Sequence, residues 1–231
     1  MPFPLPLTWK MCKWPDLFFS PTTPDNMKDI KLNFINKSND ANNTEVVIFQ
    51  KNTAPSAGEA VAWTVIQNCG FGDHHPFTYP IATTISASDP YGNYTPELSA
   101  ENGQLFHMVL TASGDVLQMA PAPGSPNEIA LRNDLAHGSI NANLYKAGRL
   151  LATKTSIAPQ QKAVFRFEPA LFIGAVSEVQ QGEIMPAAIV SEINTELSLN
   201  GIASADIVMT GGGPGAGATP FQFSLENIVY Q

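Results

Sequence analysis

The sequence predicts an all-β protein built as a two-sheet β-sandwich, of the jelly-roll or immunoglobulin-like kind. Short apolar runs alternate with period two, and turn residues recur at intervals of about 8–12 residues, as in a sandwich or barrel. Only 14% of the 231 residues are charged, while 44% are hydrophobic. The polar surface therefore depends on Asn, Gln, Ser and Thr, which strands and turns tolerate better than long exposed helices do.

The first half of the chain contains six predicted strands. In the first of them, Ile30, Leu32 and Phe34 alternate with their neighbours, which is typical of a half-buried strand. Residues 113–115 read Ser-Gly-Asp and predict a hairpin turn between the last two strands. The predicted strands of this half are 30–35, 45–50, 61–65, 81–85, 105–111 and 116–119.

The second half of the chain also alternates short apolar runs with turn residues, and it contains one stretch whose secondary structure is ambiguous. Residues 185–199 fit a helix through their apolar spacing of four, but they also fit a strand, which the Ser, Thr and Asn content favours. One short helix within 186–197 is the alternative. The other predicted strands of this half are 140–145, 149–155, 163–167, 171–176, 205–210 and 221–225.

We expect one β-sandwich domain over residues 27–231, preceded by an extended N-terminal arm over residues 1–26. The arm contains six prolines, and its first three forbid a regular helix. Trp9, Trp14 and the pair Phe18-Phe19 could dock the arm on a neighbouring subunit. The proline-rich segment 120–127 predicts a crossover between sheets, and it is the point at which two halves of the domain would meet.

The net charge limits the classes of partner that we expect, and the cysteine content indicates the compartment. A net charge of −8 and a pI near 4.9 argue against non-specific nucleic-acid binding, because an acidic surface repels phosphates. Cys12 and Cys69 are expected to be free thiols, which suits a reducing compartment, although one long-range bridge is the alternative.

With no apolar run typical of a signal peptide or a membrane span, we expect a cytoplasmic protein. Release by a route without a signal peptide is the alternative.

The densest polar cluster is a predicted turn over residues 69–76. Its candidate metal ligands could bind zinc, copper or nickel, but adjacent histidines point to opposite sides of an extended chain. His107 and His137 could complete such a site from other strands, and a plain turn with water-facing histidines competes with the metal interpretation. The candidate ligands are Cys69, Asp73, His74 and His75.

A second candidate cation site lies in the loop after the first strand. Asp40, Asn42 and Thr44 are spaced like the first ligands of a calcium loop. Glu45 then stands where that loop needs glycine, and Lys51 where it needs a bidentate glutamate. A simple Asn/Asp turn is the competing interpretation.

Three tyrosines stand in turn-rich segments, where we expect them to be exposed. Tyr79 lies in a Tyr-Pro segment, and Tyr91 and Tyr94 lie in the segment Asp-Pro-Tyr-Gly-Asn-Tyr. Exposed aromatic rings can stack on sugars, so these residues could line a shallow binding surface. Plain turn tyrosines are the alternative.

The leading hypothesis for function is a non-catalytic β-sandwich that acts by binding or by self-assembly into a homo-oligomer. The sequence carries neither the Gly-x-Ser-x-Gly nor the His-Glu-x-x-His signature, and low surface charge favours protein contacts. Two alternatives are a metal-dependent enzyme around Cys69, His74 and His75, and a carbohydrate-binding, lectin-like module. No cofactor is predicted.

Overall fold

The computed structural model describes residues 29–40, 44–55 and 59–231. This part of the chain is predominantly β, with seventeen strands, one α-helix and one short 3-10 helix. The all-β prediction is therefore confirmed. The expected arm over residues 1–26 and Cys12 lie outside the described residues.

The strands are numbered in chain order. Those of the first half are β1 (Ile30–Asn36), β2 (Glu45–Phe49), β3 (Glu59–Ala60), β4 (Thr64–Ile66), β5 (His74–Tyr79), β6 (Thr83–Ser88), β7 (Leu98–Ala100), β8 (Leu105–Thr111) and β9 (Gly114–Met119). Those of the second half are β10 (Ile129–Asn133), β11 (Ile140–Lys146), β12 (Arg149–Ile157), β13 (Lys162–Phe165), β14 (Ala170–Val176), β15 (Thr195–Ser198), β16 (Ile202–Gly212) and β17 (Thr219–Tyr230). The helix α1 (Ala187–Glu192) precedes β15, and the 3-10 turn Gly215–Gly217 lies between β16 and β17.

Hydrogen bonding divides these strands into four sheets. Their strand orders are β17-β16-β1-β5, β13-β10-β8-β9, β3-β12-β11-β6-β7 and β15-β14-β2-β4. Most neighbouring strands are antiparallel, but β1 pairs in parallel with β16, and β8 pairs in parallel with β10. The finer expectation of a two-sheet sandwich is not established by this pairing and stays a prediction.

One large apolar core joins the four sheets. Ile48 of β2, Ile85 of β6, Leu131 of β10 and Ile207 of β16 each come from a different sheet, and all belong to this core with no exposed surface. Trp63 is also fully buried there, as its alternation with valines predicts. Each sheet therefore contributes one apolar face to a shared interior.

A second, smaller core lies on the other face of β2. Val47 and Phe49 point away from the large core and pack with Met185 and Ile193, which flank α1. Strand β2 is consequently buried on both faces and reads as a continuous apolar run. The ambiguous stretch 185–199 contains both predicted structures in succession, a six-residue helix followed by the four-residue strand β15.

Two local predictions were wrong. Residues 74–76, the last three of the expected turn over 69–76, belong to β5, an edge strand that tolerates Pro76 because the outer side of an edge strand needs no N–H donor. The segment 120–127 connects β9 to β10, which belong to the same sheet, so it does not cross between sheets. The predicted Ser-Gly-Asp hairpin is confirmed as the β8–β9 connection.

Candidate functional site

A cavity of about 910 Å³ lies where the β6–β7 loop, the tip of the β8–β9 hairpin and the segment before β11 meet. Its volume falls within the roughly 300–1,000 Å³ of small-molecule sites. The lining residues are mainly apolar, with a few polar groups among them. They are Ala87, Ser88, Asp89, Pro90, Tyr91, Asn93, Tyr94, Thr95, Pro96, Leu98, Met108, Asp115, Val116, Leu117, Leu135, His137, Gly138, Ser139 and Ile140.

The loop that carries the two predicted tyrosines is fixed by its own hydrogen bonds. The Asp89 carboxylate accepts hydrogen bonds from the backbone N–H of Tyr91 at 2.8 Å and of Asn93 at 3.0 Å, and from Asn93 Nδ2 at 2.7 Å. These bonds, with that of the Asn93 side chain foremost, lower the pKa of Asp89. Gly92, with φ of 89°, takes the left-handed conformation that the turn requires. The oxygens of the Asp89 carboxylate are therefore used in hydrogen bonds that hold the loop.

Two further bonds tie the loop to β6. Thr95 N–H donates to the Ala87 carbonyl at 2.9 Å, and Ala87 N–H donates to Thr95 Oγ1 at 3.0 Å. On this base Tyr91 is 90% exposed and Tyr94 is 64% exposed. The predicted exposure of both tyrosines is thus observed.

The inner wall of the cavity is apolar and its rim is polar. Met108, Leu117, Leu135 and Ile140 form the wall, and all four are buried members of the large core. Exposed Asp115 and His137, with the half-buried Ser139, supply polar groups at the edge. A ligand with one apolar face and several polar groups would match this distribution.

His137 and Ser139 both line the cavity without forming a catalytic pair. In the described part of the chain, no hydrogen bond joins the His137 ring to the Ser139 hydroxyl, which nucleophile activation requires.

Tyr79 does not belong to this surface, which corrects the expectation that it is exposed. It is 6% exposed and lies in the large core, where its hydroxyl donates to Gln50 Oε1 at 2.9 Å. Burial raises the pKa of Tyr79 to about 12. Its ring meets that of Trp63 edge-on at 5.7 Å. The turn residues around Tyr79 predicted an exposed loop. The segment is instead the edge strand β5, which tolerates Pro76 and directs the Tyr79 side chain inward.

The four candidate metal ligands occupy different environments. Cys69 is a buried free thiol whose pKa is raised by burial, and Asp73 Oδ2 accepts the Gly70 N–H at 2.8 Å. His74 and His75 are consecutive residues of β5 and face opposite sides of the sheet, as expected for adjacent strand residues. Among the described residues, no group of three or more His, Cys, Asp and Glu side chains is placed to hold a metal ion.

His107 and His137, the two histidines that could have completed a metal site, do not join the four candidate ligands. His107 Nδ1 lies 3.1 Å from Asp134 Oδ2, and the same carboxylate pairs with Arg132 at 2.6 Å. His137 lines the cavity. His107 is therefore a half-buried residue of β8 whose ring is hydrogen-bonded within the fold.

The candidate calcium residues are described only in part. The Asp40 carboxylate accepts a hydrogen bond from the Thr44 backbone N–H at 2.5 Å. Asn42 lies outside the described residues. The calcium and turn interpretations of this loop both stay predictions.

The fold and the cavity define the class of this protein as a predominantly β protein with a ligand-sized cavity at one end of its core. Comparison with protein-family models, with curated proteins and with solved structures gives no match. Among the described residues, no helix has the length and apolarity needed to cross a membrane.

Proposed function

We propose that this protein is a non-catalytic binding protein and that its ligand is a neutral saccharide held in the cavity beneath Tyr91 and Tyr94. The single observation that carries the proposal is the 90% exposure of the Tyr91 ring on a loop fixed by the Asp89 carboxylate. Fixing the loop in advance lowers the entropy lost when a ligand binds. The proposal retains the predicted β-sandwich as the finer description of the fold.

The charge of the site favours an uncharged ligand. Asp115 is exposed at the rim, and the chain carries a net charge of −8, so anions are repelled from this surface. A purely apolar ligand would make no hydrogen bonds with the polar side chains of His137 and Ser139 that line the cavity. A sugar supplies a face of C–H groups for the tyrosine rings and hydroxyls for the polar rim.

The test is a titration of the full chain with a library of neutral mono- and oligosaccharides by isothermal calorimetry. The Tyr91→Ala variant should bind the best ligand about tenfold more weakly, since the lost stacking is worth about 1.4 kcal/mol. The Phe71→Ala variant is the matched control, because Phe71 is also an exposed aromatic residue, at 73%, but lies outside the cavity. It should bind as tightly as the wild type.

Two outcomes would count against the proposal. Absence of binding to every neutral saccharide would remove the sugar as ligand. Equal losses in the Tyr91→Ala and Phe71→Ala variants would show that binding does not take place at the cavity.

A further inference from the structure

Among the described residues, strand β17 leaves a long edge of its sheet unpaired. It is the first strand in the order β17-β16-β1-β5, and in the described part of the chain its only ladder partner is β16. It has twelve residues, whereas the other edge strands of the described sheets have two to six. An open edge presents unpaired backbone N–H and C=O groups to any strand of matching geometry.

The edge lacks the usual protection against such pairing. The opposite edge, β5, carries Pro76 in its middle, while β17 contains neither lysine nor arginine. Its one charged residue, Glu226, is paired with Lys37 at 3.2 Å. From Gln222 to Glu226 the strand follows β16 without a register shift, and Pro220 and the bulge at Asn227 lie outside this segment.

The two faces of this regular segment differ. Phe221, Phe223 and Leu225 are partly buried and pack against the large core, while Gln222, Ser224 and Glu226 are exposed. This is the alternation of a strand with one solvated face. Another strand that continues the sheet must therefore present apolar residues on the core side and polar residues outside.

We propose that β17 pairs antiparallel with β17 of a second copy of this chain, about a two-fold axis through Ser224. Phe223 then lies opposite Leu225 of the second copy on the apolar face. Gln222 lies opposite Glu226 of the second copy, so an amide donor meets a carboxylate. The segment is complementary to itself in both polarity and hydrogen bonding, as a two-fold interface requires.

Charge separation supports this antiparallel arrangement. The two Glu226 carboxylates lie four residues apart along the paired strands, or roughly 14 Å at about 3.4 Å per residue. That distance exceeds the screening length of about 8 Å at physiological ionic strength. A parallel, in-register pairing would instead place one Glu226 directly beside the other.

Exposed apolar residues at the end of β17 extend the contact. Ile228, Val229 and Tyr230 are 37%, 55% and 66% exposed. In the antiparallel pairing they lie beside the Pro220 end of the second copy. Contact there removes apolar surface from water that the single chain leaves exposed.

The test is the solution mass of the full chain, measured by light scattering after size-exclusion chromatography over a range of concentrations. The wild type should give twice the chain mass of 24.8 kDa. The variants Ser224→Lys and Ser224→Glu should each be monomeric, because two like charges then face each other at the axis. An equimolar mixture of the two variants should form a 1:1 dimer, in which lysine faces glutamate.

The control is Thr78→Lys, an exposed position on the opposite edge strand of the same sheet, and it should leave the dimer intact. Circular dichroism checks that each variant is folded. A monomeric wild type at all concentrations would overturn the proposal. So would Ser224→Lys and Ser224→Glu variants that remain dimeric by themselves.

Discussion

At the scale of single residues, Lys146 occupies an unusual position for a lysine. It is only 8% exposed, and its ammonium donates to the carbonyls of Pro80 at 2.7 Å and Ile81 at 3.1 Å. The same group lies 4.5 Å from the centre of the Tyr79 ring. Burial lowers the pKa of Lys146 from 10.5 to about 8, although the Asp29 carboxylate acts in the opposite direction.

This lowered pKa predicts that stability depends on pH. Between pH 8 and 10.5 the unfolded lysine binds a proton that the folded lysine has lost, so the free energy of unfolding rises with pH over this window. The wild type should gain up to about 3 kcal/mol relative to Lys146→Met from pH 8 to 10.5. Urea denaturation of both proteins at several pH values measures the difference.

The comparison with Lys146→Met isolates this effect, because every other titrating group is common to both proteins. A constant difference in the free energy of unfolding between the two proteins reports the hydrogen bonds to Pro80 and Ile81 that methionine cannot make. If this difference does not change between pH 8 and 10.5, the pKa of Lys146 is not lowered.

Sequence reasoning succeeds for residues whose environment follows from their immediate neighbours. The alternation of Val61, Trp63 and Val65 along the predicted strand 61–65 indicates that Trp63 is buried. The turn residues around Tyr91 and Tyr94 indicate that these two side chains are exposed. Sequence reasoning failed for Tyr79, since the inward direction of that ring depends on the pairing of β5 with β1, a contact between segments distant in sequence.

At the scale of elements, the contact between β14 and the residue that ends α1 is unusually close. A Cβ added to Gly174 would lie 2.7 Å from Ile193 Cγ1. Ile193 packs in the small core and follows the helix. Helix α1 has only six residues and no side-chain N-cap, so its position depends on packing of this kind.

We expect Gly174→Ala to destabilise the protein by roughly 1–3 kcal/mol, the usual cost of overpacking a core. Gly217→Ala is the control, because a Cβ there meets nothing within 4 Å. Chemical denaturation measures both. In an Ile193→Ala background the added methyl of Gly174→Ala should cost much less, and an unchanged cost would show that the Ile193 contact is not its cause.

Elements with regular alternation were predictable, and those that depend on pairing partners were not. Strands β8, β9, β11 and β12 follow the sequence pattern closely. The helix could not be separated from β15, because residues 185–199 satisfy both periodicities. Packing against β2 holds the helical part, and pairing with β14 holds β15.

At the scale of the whole molecule, neither the sheet order nor the cavity follows from local patterns. The parallel pair of β1 and β16 joins residues more than 160 positions apart, as Ile35 and Val208 show. The cavity combines the predicted tyrosine loop with Asp115 and His137 from two other segments. The sequence predicts the tyrosine loop as part of the site, whereas Asp115 and His137 come to the cavity only through the tertiary structure.

Saccharide binding in the cavity can be tested directly by a hydrogen-exchange map of the full chain with and without its best-binding saccharide. We expect slower exchange in residues 87–98, in the first half of β9 around Asp115 and in residues 135–140, since all three line the cavity. Residues 69–75, which hold the candidate metal ligands, should be unaffected. Protection confined to residues 69–75, or no protection around the cavity, would show that the saccharide does not bind there.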